Sequence, residues 1–148
     1  MQTATAPTPA APGVLYFGDV GDVPFWTAPV SRTETATAVY RPLLTEPGFY
    51  PVYAWTSAGA NRAPDQLYRI HYAAGAMEVT VNHQRVGDGP VYLGTYYFSA
   101  GDSGYVEISN QSLLGVLGTD IAVADAIRFG NGTLGIGNNQ PALGLEEL

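Results

Sequence analysis

GFYPVYAWT at 48–56, LYRIHY at 67–72, MEVTVN at 77–82, VYLGTYYF at 91–98, GYVEIS at 104–109 and DIAVADAIRF at 120–129 decide the fold. Each segment is short, rich in Tyr, Val, Ile or Trp, and bounded by Gly, Asn, Asp or Pro. Their spacing of roughly 8 to 20 residues is that of an antiparallel sandwich or barrel. No helical period interrupts them. The reading is all-β: an antiparallel two-sheet β-sandwich with less than about 10% helix.

Alternation assigns the faces. In MEVTVN, Met77, Val79 and Val81 point one way and Glu78, Thr80 and Asn82 the other, the period of a half-buried strand. LYRIHY likewise directs Tyr68, Ile70 and Tyr72 inward and Leu67, Arg69 and His71 outward. A short loop holding Gly75 joins the two as a hairpin. Pro51 cannot donate to a ladder and belongs at an edge or a bulge. In DIAVADAIRF, Asp125 falls among Ile121, Val123, Ile127 and Phe129. A carboxylate there is structural and needs a partner to offset desolvation, with Arg69 and Arg128 as candidate donors.

The 148 residues suffice for one domain, which at this size buries about 68–70% of its unfolded surface. Residues 1–12, rich in Ala, Thr and Pro, read as a flexible linker, 13–130 as the sandwich module, and 131–148 as a Gly/Asn-rich linker. Such flanks suggest a module of a longer chain with adjoining domains. With no cysteine, disulfide and thiolate chemistry are excluded. Six arginines, no lysine and thirteen acids give a net charge of -7, a surface that repels phosphate backbones and argues against nucleic acid. No run of 18 apolar residues is present, which argues against membrane insertion. The low charged content, 13%, leaves a polar, uncharged surface suited to sugars.

Catalysis finds little support. There is no nucleophile elbow and no Walker loop, and the glycine-rich run from Gly130 to Gly137 precedes no helix. Glu78 and Glu107 form a candidate glycosidase-like pair only if a cleft holds them about 5–9.5 Å apart. His71 and His83 match no zinc spacing and read as surface or hydrogen-bonded histidines. Asp19, Asp22 and Asp120, with Asp102 and Asp125, suggest a structural calcium; no other cofactor is expected.

For a sugar ligand, aromatics supply stacking faces while Asn, Gln, Asp and Arg pair with hydroxyls. Candidate binding residues are Trp26 in a Pro-flanked loop; Asn61, Arg62, Asp65 and Gln66 in the loop at 59–66; His83 and Arg85 in a second polar set; and Tyr92. Trp55 and Tyr53, inside the strongest strand, read as core. The alternative to a sugar site is a structural spacer or self-association domain.

PGFYPVYAW, YRIHYAAG, VYLGTYYFSAG and the closing ADAIRF resemble the golvesin/xanthan lyase carbohydrate-binding-like domain over residues 34–130. Where members tend to carry a tryptophan before the VYLG-type strand, this chain has Pro90. The resemblance implies a jelly-roll-like sandwich with an accessory role in a bacterial extracellular or cell-envelope protein. It also implies a polysaccharide or peptidoglycan partner, and a parent whose catalytic domain is an amidase or a polysaccharide lyase.

Overall fold

The computed structural model describes residues 8–9 and 24–130. The expected linkers therefore lie outside the described residues apart from Thr8–Pro9, and so do Asp19 and Asp22. Ten strands follow in order: β1 Thr8–Pro9, β2 Pro24–Pro29, β3 Thr37–Tyr40, β4 Gly48–Thr56, β5 Gln66–Tyr72, β6 Gly75–Val81, β7 Gly89–Phe98, β8 Tyr105–Ser109, β9 Ile121–Ala124 and β10 Ala126–Phe129. The described residues contain no helix, and every strand pair is antiparallel.

The strands form a sandwich. A four-stranded sheet, β3-β8-β5-β6, faces a three-stranded sheet, β10-β4-β7, and β1-β2-β9 forms a further short sheet. The core between the two larger sheets holds Val52, Ala54, Tyr68, Ile70, Leu93, Phe98, Val106, Ile108 and Ile127. Burial of this apolar set is the main stabilising contribution, at about 25 cal/mol per Å² removed from water.

The β5–β6 hairpin forms as its alternation requires, closed by Tyr72 opposite Gly75, whose φ of 149° only glycine adopts without strain. Tyr68 and Ile70 are fully buried, and Val79 and Val81 pack on the core. Met77 does not. It is 45% exposed, in the third pair from the turn on β6, the edge strand of its sheet. Pro51 sits beside an irregularity at Val52/Tyr53, beyond the last residue of β4 that β10 pairs.

DIAVADAIRF is not one strand. It breaks at Asp125, with β9 paired to β2 and β10 to β4, and Ala124 and Ile127, three apart, both reach the core. Arg69 bonds three glutamates on the far sheet and Arg128 lies over Tyr53. Asp125 lies near the Tyr40 and Tyr68 hydroxyls, which burial foremost and its negative charge next push above the ordinary phenol range.

Candidate functional site

Period-two alternation in β4 sends Tyr50, Val52, Ala54 and Thr56 inward and leaves Phe49, Pro51, Tyr53 and Trp55 on the outer face of the three-stranded sheet. Trp55 and Tyr53 are therefore outer-face residues, each partly exposed, and the core assignment for them is corrected. The signal lay in β4 itself. Small residues alternate with large aromatics, and Pro51 keeps phase with the aromatics.

In β7 strict alternation would put Tyr92 and Tyr96 on one face. The register jumps instead, with Val52 opposite Gly94 and Tyr53 opposite Tyr92, so Leu93 is extra, as in a β-bulge. Gly94 has φ 122°, and a Cβ there would lie 2.5 Å from the Tyr96 hydroxyl oxygen. That hydroxyl donates to the Leu93 carbonyl at 2.6 Å, which holds the bulge. Leu93, Tyr96 and Phe98 then face the core, and Pro90, Tyr92, Thr95 and Tyr97 face out.

Together β4, β7 and β10 present an aromatic band. Phe49 meets Tyr97 edge-on at 5.2 Å between centroids, and Tyr53 meets Tyr92 at 5.5 Å. The Arg128 guanidinium lies 4.3 Å above Tyr53, and Trp55 pairs across to Pro90. Phe49 is 73% exposed, Tyr92 57% and Tyr97 41%. At roughly 3.3 Å per residue, Phe49 to Trp55 spans about 20 Å. Arg128 is the one ionic side chain among the outward residues of these three strands. A long, weakly charged aromatic face of this kind can stack on apolar ring faces, and its Tyr hydroxyls can hydrogen-bond at the rim.

Of the expected binding residues with described side chains, the structure brings only Tyr92 to this band. The backbone of Trp26 lies in β2 opposite Ala124 and not in a loop. In the 59–66 loop the polar groups bond to the protein itself. Arg62 donates to the Ser57 carbonyl at 3.0 Å and hydroxyl at 2.8 Å and also to Asn61. Asp65 accepts from the Ser112 hydroxyl and from the Leu113 and Leu114 amides, the latter two at 2.8 and 3.2 Å. Arg85 is exposed in the turn after β6.

Gln66 and His83 are core residues. The Gln66 amide donates to Tyr68 Oη and to the Val123 carbonyl, each at 2.8 Å, and accepts from Val123 N at 2.9 Å. Tyr68 Oη lies 2.7 Å from His83 Nε2, and His83 Nδ1 lies 2.7 Å from the Val86 carbonyl. A carbonyl only accepts, so Nδ1 carries the proton and Nε2 accepts from Tyr68. Burial lowers the His83 pKa below the ordinary imidazole value, the Val86 bond opposing it. A depressed folded pKa means that the unfolded chain binds more protons as pH falls through about 6.5. The stability present above the unfolded value of about 6.5 is thus lost progressively as pH falls below it, by at most about 1.4 kcal/mol per pH unit. Denaturant melts across that window should show the slope in the parent chain and its loss in His83→Gln; equal slopes would exclude His83 as the source.

On the outer face of the opposite sheet, Arg69 bonds Glu34 at 2.6 Å, Glu78 at 3.2 Å and Glu107 at 3.5 Å, and His71 reaches Glu107 at 2.8 Å while stacking on Tyr105. Burial would raise the Glu34 carboxyl, but the Ser109 and Arg69 hydrogen bonds and the Arg69 charge hold it below its ordinary value. Glu78 and Glu107, the candidate carboxylate pair, are thus both held by one cation. Asp120 is buried and accepts from the Val116 amide at 2.9 Å and from Gln84 at 3.4 Å. Among the described residues no three His, Asp or Glu side chains come together as a metal-binding group, and no helix is long and apolar enough to cross a membrane.

A model of the Golvesin C-terminal domain matches residues 20–131. A xanthan lyase of Bacillus sp. (strain GL1) is 35% identical over 96 residues, covering 64% of this chain and 10% of the lyase. The solved structure of a Paenibacillus xanthan lyase superposes with a TM-score of 0.66 at 24% identity, over 85% of this chain and 11% of that one. The chain spans about a tenth of the length of these relatives.

Proposed function

The chain belongs to the Golvesin C-terminal domain family, and from that premise we propose that it is a non-catalytic accessory module that binds an extracellular polysaccharide through the aromatic face of β4, β7 and β10. The observation that carries this is the band itself: Phe49, Tyr53, Trp55, Tyr92 and Tyr97 on one sheet face, three of them at least two-fifths exposed. Large aromatics gathered on a solvent face mark a contact surface. The matched region is a small part of lyases that act on xanthan, which supports a targeting role beside a polysaccharide-active domain outside the cell. Bacterial cell wall is the other polymer to be tried.

A module with a few stacking residues binds weakly, with a Kd of about 0.1–1 mM, or roughly -4 to -5.5 kcal/mol, and gains avidity from its parent. Affinity electrophoresis and calorimetry with xanthan and with peptidoglycan sacculi test this. Tyr92→Ala, exposed and outside the core, should weaken binding about tenfold with an unchanged melting temperature, since losing one well-packed aromatic contact costs more than about 1 kcal/mol. Undiminished binding by Tyr92→Ala would refute the site.

A specific observation favours a second reading, a spacer that docks on a protein neighbour. Leu113, Leu114, Val116 and Leu117 are 53–70% exposed on a loop held by Asp65, by Asp120 and by Arg32, which donates to the Ser112 and Gly115 carbonyls at 3.0 and 2.9 Å. Binding of no polysaccharide by the parent chain would favour this spacer.

A further inference from the structure

The arginines are not alike. Arg32 and Arg62 bond carbonyls, Arg41 donates to the Asp102 carbonyl at 2.9 Å and covers Tyr105, Arg69 holds three glutamates, and Arg85 is exposed. Arg128 is half-buried, and its Nε is enclosed with no hydrogen-bond partner among the described residues. A buried N–H without a partner is rare in native proteins and calls for a reason. Here it occurs in a chain with thirteen acids and six arginines, where carboxylates outnumber guanidinium groups.

The surroundings supply the reason. Tyr53 fixes the plane of the guanidinium, 4.3 Å from its ring centroid. Beside it lies a cavity of about 40 Å³ lined by Tyr53, Ala54, Trp55, Pro90 and Arg128. One water needs about 10–15 Å³, so the space has room for a carboxylate group. A planar guanidinium is matched to a carboxylate by its fork of donors. No Asp or Glu is among the outward residues of β4, β7 and β10. The acids Glu34, Glu78 and Glu107 lie on the outer face of the other sheet. Stacked sheets are about 10 Å apart before side chains are added, beyond the screening length of about 8 Å at physiological salt. These three carboxylates therefore do not deny a polyanion this face.

Building on the reading of the aromatic band as a polysaccharide site, we infer that Arg128 is its anion-recognition residue and that the ligand class is an acidic polysaccharide, a sugar carboxylate seated against Arg128 while neighbouring rings stack on Tyr53 and Tyr92. Binding of xanthan, polygalacturonate and hyaluronate is measured by calorimetry at physiological salt, each against its carboxyl-reduced counterpart. At least one acidic polymer should bind, and its reduced form should bind at least tenfold more weakly. Arg128→Gln should bind the two forms alike, and Arg128→Lys, which keeps the charge without the fork, should fall between; thermal melts establish that each variant is folded. Tyr92→Ala should weaken both forms. Equal binding of parent and reduced polymers, or a preference that survives Arg128→Gln, overturns the role of Arg128 while leaving the aromatic site intact. Indifference to Tyr92→Ala overturns the site itself, and no binding by any polymer overturns both.

Discussion

Asn110→Ala is expected to destabilise the protein by about 3–5 kcal/mol, the range for a disrupted buried polar network. Asn110 is 2% exposed at the end of β8. Its carbonyl oxygen accepts from the Thr35 and Ala36 amides, each at 3.0 Å, and its amide donates to the Pro29 carbonyl at 2.9 Å and to the Thr35 hydroxyl at 2.7 Å. One side chain thus joins the end of β2 to the entry of β3, where no ladder satisfies these backbone groups. Alanine removes the partner of two donors and two acceptors, each costing about 1–3 kcal/mol where it is left buried and unpaired. Asn110→Asp separates the contributions, because it keeps the acceptor and loses the donor, setting carboxylate oxygen against the Pro29 carbonyl. Urea melts should rank parent, then Asp, with Ala lowest or equal to Asp; an Ala variant within about 0.5 kcal/mol of the parent would mean that solvent replaces these bonds.

Gly104→Ala should be nearly as damaging, by overpacking. A Cβ at 104 would sit 2.4 Å from Cδ1 and 2.8 Å from Cε1 of Phe98. Phe98 cannot yield, being fully buried between Tyr50 at 6.1 Å and Phe129 at 5.6 Å. Overpacking of a closed core costs about 1–3 kcal/mol and occasionally more, and the upper end is expected because the clash falls on a rigid ring. Gly89→Ala is the control. It has open space at its Cβ position and should change stability by less than about 0.5 kcal/mol. Similar melting temperatures for the two variants would contradict the packing described around Phe98.

The sheet architecture was legible wherever one face is apolar and the other polar. Tyr68 and Ile70 against Arg69 and His71 is such a case, and Gly75 marks the turn. In β4 both faces are apolar, so alternation alone does not say which set meets solvent, and side-chain bulk points to the wrong one for the core. In β7 a single extra residue reverses phase, and Gly94, the one mark of it, is a weak local sign. The chemistry of Gln66 and His83 suits binding residues, and the pairing of Tyr68 with His83 that buries them spans 15 residues. Arg69 finds Glu34 and Glu107 at separations of 35 and 38 residues, contacts that only the assembled sheet brings together.

The bulge at Leu93–Gly94 also bears on solubility. Among the described residues no further strand pairs with the outer edge of β7, which takes one loop bond, from the Ala73 amide to the Tyr97 carbonyl, and an open edge is a template on which another chain can build a strand. Pro90 removes one donor from that edge, and the extra residue bends the strand away from the flat geometry that edge-to-edge pairing needs. A face rich in aromatics is thereby displayed beside a poor aggregation template, so copies of the module can stand close together without recruiting one another into a continuous sheet.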